Sequence, residues 1–157
     1  MKTRKSLTLK SILVGLCFFT SLMCETLNAQ QAISFDDHLA SLSETARVHL
    51  SEIAFNVQTT AYVASSAINV VGTGDALLLE VNASDFSSIN FNDASLAHVE
   101  LMRIRVNSSE ELSQSLNFSG ASGLSNLSCV VILSSVEATG DQLDSMVQNL
   151  PANVSKC

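Results

Sequence analysis

The sequence predicts an α/β fold in which an N-terminal amphipathic helix packs on a small, mainly parallel sheet that carries strand-helix units towards its C-terminal end. Two observations lead to it. Apolar residues recur at helical spacing from Phe35 to Val57, and an offset of 31 residues lays Leu96, Val99, Leu101 and Met102 over Leu127, Val130, Ile132 and Leu133. Helix-capping motifs follow both of the matched apolar segments, so each reads as a strand feeding a helix.

Ahead of these elements stands a targeting pattern. Lys2, Arg4 and Lys5 supply positive charge, and the uncharged run from Ile12 to Cys24 has the character of a secretory apolar core. It is shorter than the roughly 20 residues a stable membrane span needs. Ala29, at the end of Leu27-Asn28-Ala29, suits cleavage by signal peptidase, so residues 1–29 are expected to be a signal peptide and residues 30–157 a single domain. The expected location is therefore outside the cytoplasm, secreted or periplasmic, with no integral membrane segment after cleavage. Acylation of Cys24 offers a lipid-anchored alternative.

Removal of that leader sharpens an already acidic balance. The chain carries 8 Lys and Arg against 15 Asp and Glu; beyond residue 29 the cations are Arg47, Arg103, Arg105 and Lys156 against 14 carboxylates, a net charge near −10. Nucleic acids and anionic lipid surfaces both call for clustered Lys and Arg, so neither is an expected partner. Acidity of this kind serves solubility.

The first helix is predicted from Ser34 to about Asn56. Phe35, Leu39, Leu42, Ala46, Leu50, Ile53 and Val57 form one apolar stripe, Ser34 caps the start with Asp37 three residues on, and Glu44 and Glu52 mark the outer face. His38 and His49 fall on the polar side of this helix and are expected in solvent. Residues 59–71 lean towards strand through Tyr62, Val63, Ile68, Val70 and Val71; Gly72-Thr73-Gly74-Asp75 makes a turn; residues 76–81 form a buried strand. Residues 82–94, rich in Asn, Asp and Ser, read as a packed loop held by Phe86, Ile89 and Phe91.

In the C-terminal half, Ser108 with Glu111 forms a capping box ahead of Leu112 and Leu116, and Thr139 with Gln142 forms another ahead of Leu143 and Val147, with Pro151 closing the second helix after Leu150. Successive strand-helix units imply parallel strands. The strand at 129–133 is apolar on both faces and belongs in the interior, whereas Glu100, Arg103 and Arg105 leave the earlier one partly open to water.

The segment Leu124-Ser125-Asn126-Leu127-Ser128-Cys129-Val130-Val131-Ile132 resembles the leucine-rich-repeat pattern, and Leu96-Ala97-His98-Val99-Glu100-Leu101 is similar to it. The resemblance spans about residues 94–150. It implies strands that line a face for binding proteins or peptides. The asparagine that the family places shortly after the strand is absent, its place taken by residues 103–106 and 134–137, and two units are fewer than a solenoid usually needs.

Functional candidates follow from charge and from cysteine. Arg103 and Arg105, two residues apart on a strand, project to one side and with Glu100 form the expected contact surface for an acidic group on a protein or peptide partner; the competing account is that they neutralise nearby carboxylates. Cys129 and Cys157 are the cysteines left beyond the leader. Either they bond, closing a loop of about 28 residues worth about 3 kcal/mol, or Cys129 is a buried apolar residue and Cys157 a frayed thiol.

Catalytic signatures are few. The chain has no Gly-x-Ser-x-Gly elbow, and its histidines are His38, His49 and His98, of which the last reads as an exposed strand residue. His38 and His49 stand 11 residues apart and cannot share an ion without other elements; Asp141 and Asp144 are explained by a helix dipole. No cofactor is implied. Asp75, Glu80, Asp85 and Asp93 form the densest acidic group and support an alternative reading as a small hydrolase or lyase. Asn-x-Ser acceptors occur at Asn82, Asn107, Asn117, Asn126 and Asn153. The expectation is a small exported recognition module without catalytic activity, or a subunit of an extracellular assembly whose open sheet edge is covered by a neighbour.

Overall fold

The computed structural model describes residues 32–157; the leader, its cleavage site and Cys24 lie outside the described residues. The protein is an α/β fold. A six-stranded sheet has the order β2-β1-β3-β4-β6-β8, where β1 is Thr60–Ala64, β2 Ala67–Val71, β3 Leu78–Asn82, β4 Leu101–Val106, β6 Cys129–Ser134 and β8 Ser155–Lys156. Neighbours from β1 to β8 are all parallel, and only β2 runs antiparallel, as the outer arm of a hairpin. A second, two-stranded parallel sheet pairs β5 (Leu116–Asn117) with β7 (Val147–Gln148). No helix among the described residues is long and apolar enough to cross a membrane.

The N-terminal helix is broken where a single one was expected. It forms α1 (Phe35–Ser41) and α2 (Glu44–Phe55), separated by Leu42 and Ser43 in extended conformation. Ser43 is the reason: its hydroxyl accepts from the Ala46 N–H and starts a new helix. The apolar stripe reads through the break because both helices lie on the same sheet face, with Leu39, Leu50 and Ile53 packed on Leu78, Leu101, Cys129 and Val131. Val57, at the predicted end of the stripe, is fully exposed.

Residues 59–71 form a hairpin rather than one strand. Ser65 and Ser66 both adopt positive φ at its tip, the backbone that a tight two-residue hairpin turn requires. Gly72, at φ +125°, then lets the chain pass Thr59, whose backbone a Cβ at this position would strike. The loop after β3 is packed as its sequence suggests, with 3-10 turns at Ala83–Ser88 and Ala94–Leu96 and with the rings of Phe86, Phe91 and Phe118 packed on one another.

The two C-terminal capping motifs have unequal outcomes. Thr139 and Gln142 exchange both capping hydrogen bonds and start α3 (Gly140–Met146), which ends four residues before the expected Leu150 because Val147 turns extended and enters β7. Ser108 likewise accepts from Glu111, and Glu111 from the Asn107 N–H, yet only the 3-10 turn Glu111–Ser113 follows. Gln114 is already extended, and the chain goes on to pair β5 with β7. Registers differ correspondingly. β4 aligns with β6 at Leu101↔Cys129, a 28-residue step, while β5 aligns with β7 at Leu116↔Val147, a 31-residue step, so the longer α3 absorbs the three extra residues.

The main core lies on one face of the sheet. Leu79, Val81, Met102, Ile104, Val106, Val130 and Ile132 meet Phe86, Leu96, Val99, Leu112, Leu116, Phe118, Leu127 and Met146 there. Each fully buried aliphatic or aromatic side chain contributes roughly 1.5–3 kcal/mol. β4 is nevertheless the more central strand, flanked by β3 and β6, and its arginines sit on the opposite face, where Arg105 stays open to water.

Candidate functional site

That opposite face is built in rows, because alternate residues of a strand project to one side. Parallel register places Leu78, Leu101 and Cys129 in the first row, Tyr62, Glu80, Arg103 and Val131 in the second, and Asn82, Arg105 and Leu133 in the third. α1 and α2 cover the first row and part of the second. At the uncovered end, Tyr62, Arg105 and Leu133 are exposed to between 41% and 48%.

Glu80 organises the middle of this face. Arg103 donates to one of its carboxylate oxygens, and Arg105 donates to the other at 3.0 Å. Arg103 also donates to the Ala54 carbonyl in the last turn of α2, one of the groups a helix end leaves without an internal partner. The second arginine is freer: Arg103 is 18% exposed and Arg105 48%. Glu100 does not join them; its carboxylate meets His49 Nε2 of α2 at 2.7 Å. The expected contact residues thus divide into Arg103, bound into the fold, Glu100, joined to α2, and Arg105, which still faces water.

The four carboxylates offered as an alternative site engage separate groups. Asp75 lies 3.7 Å from His98, Glu80 holds the arginines, Asp85 accepts from Asn82, and Asp93 caps the turn at Ser95. Hydrogen bonds from the Ser95 hydroxyl and N–H hold Asp93 below the usual carboxylate range. Asp144, read as a dipole partner, takes a larger role: it pairs with the buried Lys156 at 2.7 Å and accepts from the Ala32 N–H. Burial alone would raise its pKa, but the bonds from Lys156 and Ala32, together with the Lys156 charge, keep it below its ordinary value.

Beneath α1 lies the one convergence of three or more His, Cys, Asp or Glu donors among the described residues: His38, Cys129 and Cys157, all buried, with donor atoms within 4.8 Å of one another. Cys129 opens β6, and Cys157 follows β8, held by reciprocal backbone hydrogen bonds with Val130 and Ile132. The tail cysteine is therefore buried rather than frayed, and its sulfur stands 3.5 Å from that of Cys129. The hydrogen bond between the two sulfurs, together with burial, pushes the Cys129 thiol up, while the same bond draws Cys157 down against its own burial. Burial also lowers His38 and favours a neutral imidazole.

His38 was expected in solvent and is instead 7% exposed. The signal lay within the stripe: Phe35, His38, Leu39 and Leu42 follow the i, i+3, i+4, i+7 rule for one helical face, and a polar residue type hid its membership. No protein-family model, curated protein or solved structure matches the chain.

Proposed function

We propose that this protein is a small exported recognition module whose contact surface is the uncovered end of the arginine-bearing sheet face, and that its partner is a protein or peptide presenting a carboxylate. The observation that carries this reading is the sharing of Glu80 by Arg103 and Arg105. Two guanidiniums face one carboxylate, so Arg105 can turn to a partner's acidic group while Arg103 keeps Glu80 neutralised. Tyr62, Leu133 and Asn82 flank it with ring, aliphatic and amide contact area.

Three further observations support the reading. Five parallel strands lie side by side in chain order and give the arginine-bearing face one continuous surface. Basic residues followed by a short apolar run support export. The dispersal of Asp75, Glu80, Asp85 and Asp93 among different partners gives the hydrolase alternative no support. A role inside a larger assembly draws on β2, an edge strand with Val70 and Val71 exposed.

The test is the Arg105→Glu variant in a pull-down from native surface extract, with Arg105→Lys as the conservative control. Loss of partner recovery with Glu and partial recovery with Lys is the expected result. Unchanged recovery with Glu overturns the proposed contact surface.

A further inference from the structure

We propose that His38, Cys129 and Cys157 form a binding site for one thiophilic d10 cation, Zn²⁺ or Cu⁺, which ties α1 and the C-terminal strand to the centre of the sheet. Two sulfurs and one imidazole nitrogen are the ligand set such ions select over oxygen-seeking Mg²⁺ or Ca²⁺. All three residues are buried and come from α1, β6 and the tail beyond β8, so tertiary folding alone assembles them.

Spacing favours an ion over a direct bond. Tetrahedral coordination with metal-sulfur bonds of about 2.3 Å separates two sulfurs by about 3.8 Å, and the observed 3.5 Å needs an opening of only a few tenths of an ångström. A disulfide requires about 2.05 Å and would leave the imidazole out of the chemistry. On binding, each cysteine sulfur and one imidazole nitrogen donate a lone pair to the cation, and the thiol protons leave to solvent.

The consequence is structural. α1 has seven residues, too few to be stable alone, and β8 has two. An ion held by His38 on the one, Cys157 beyond the other and Cys129 between them would join the two ends of the described chain in a single cross-link.

The experiment uses the full chain purified anaerobically under reducing conditions and stripped with a chelator. It is titrated separately with Co²⁺ as a spectroscopic reporter, with Zn²⁺ and with Cu⁺, and followed by native mass spectrometry, thiol alkylation and thermal unfolding. One ion per chain is expected, with thiolate-to-cobalt charge-transfer absorption that Zn²⁺ abolishes, protection of both thiols, and a rise in Tm. Tighter retention of Cu⁺ or of Zn²⁺ against a competing chelator identifies the preferred ion. Cys129→Ser and Cys157→Ser should lose stoichiometric binding, and His38→Ala should weaken it by at least ~10-fold, the loss that even an outer-shell partner brings. Three results overturn the proposal: wild-type chain that binds none of the ions while both thiols stay reactive, affinity indifferent to His38, or exported protein in which a Cys129–Cys157 bond occupies both sulfurs. The wild-type measurements decide the matter even where a variant fails to fold.

Discussion

The Arg103 side chain donates to the carbonyl of Ala54, so the central strand of the sheet holds the last turn of the helix that covers it. The same guanidinium neutralises Glu80, which is 12% exposed. One side chain therefore satisfies a helix end and a largely buried carboxylate together.

Replacing Arg103 with Ala leaves the Ala54 carbonyl and one Glu80 oxygen without their donor, and should destabilise the fold by about 2 kcal/mol. The more exposed Arg105→Ala should cost about 0.5 kcal/mol or less. Urea unfolding of the two variants measures the difference; equal losses would contradict the division of roles between the arginines.

Ser43→Ala tests the break between α1 and α2 through the sign of its effect. In one continuous helix alanine would favour the helix, because it is the better interior residue. As the N-cap of α2, Ser43 should instead lose about 1 kcal/mol on replacement. Thermal unfolding reads the sign directly.

Gly123 has no room for a side chain, since a Cβ there would sit 1.8 Å from the Phe91 carbonyl oxygen. Gly123→Ala must push the Phe91 loop outward and should cost about 2–3 kcal/mol, the range of overpacked sites. Gly120→Ala meets open space and provides the control. Comparable midpoints for both variants would refute the close approach.

The Asp144–Lys156 pair sets an acid limit. Asp144 titrates below its ordinary value near 3.8 in the folded chain, so its contribution to stability is fully present above that pH and is lost as pH falls through the lower folded value. Stability measured from pH 5 down to pH 2 should decline more steeply for the wild type than for Asp144→Asn, which has no carboxylate to protonate. Parallel curves would remove the pair from the account.

The readings that survived into the structure were those carried by local chemistry. The Thr139–Gln142 capping box forms from neighbours in the chain, and the strand character around Tyr62, the buried strand from Leu78 and the packed loop around Phe86 were legible from residue type. Misreadings arose where two local signals competed. Ser43 was concealed by an apolar stripe that continues across the break, and the capping contact at Ser108 started only a single turn because Leu116 was drawn into pairing with Val147. At the candidate contact surface the residues were legible by charge, but their unequal availability was not: Glu80 and Ala54 lie 23 and 49 residues from Arg103.

By itself the sequence determined the class of the fold, its acidity and the local starts of its elements, since periodicity, composition and capping depend on residues within a few positions of one another. Tertiary structure alone decided that β4 is central, that Arg103 is spent while Arg105 is open, and that His38 meets Cys129 and Cys157. The physical reason is distance along the chain. A cluster drawn from positions 38, 129 and 157 exists only once a sheet in sequential order and a helix laid across it have brought those positions together, and no short-range pattern records that approach.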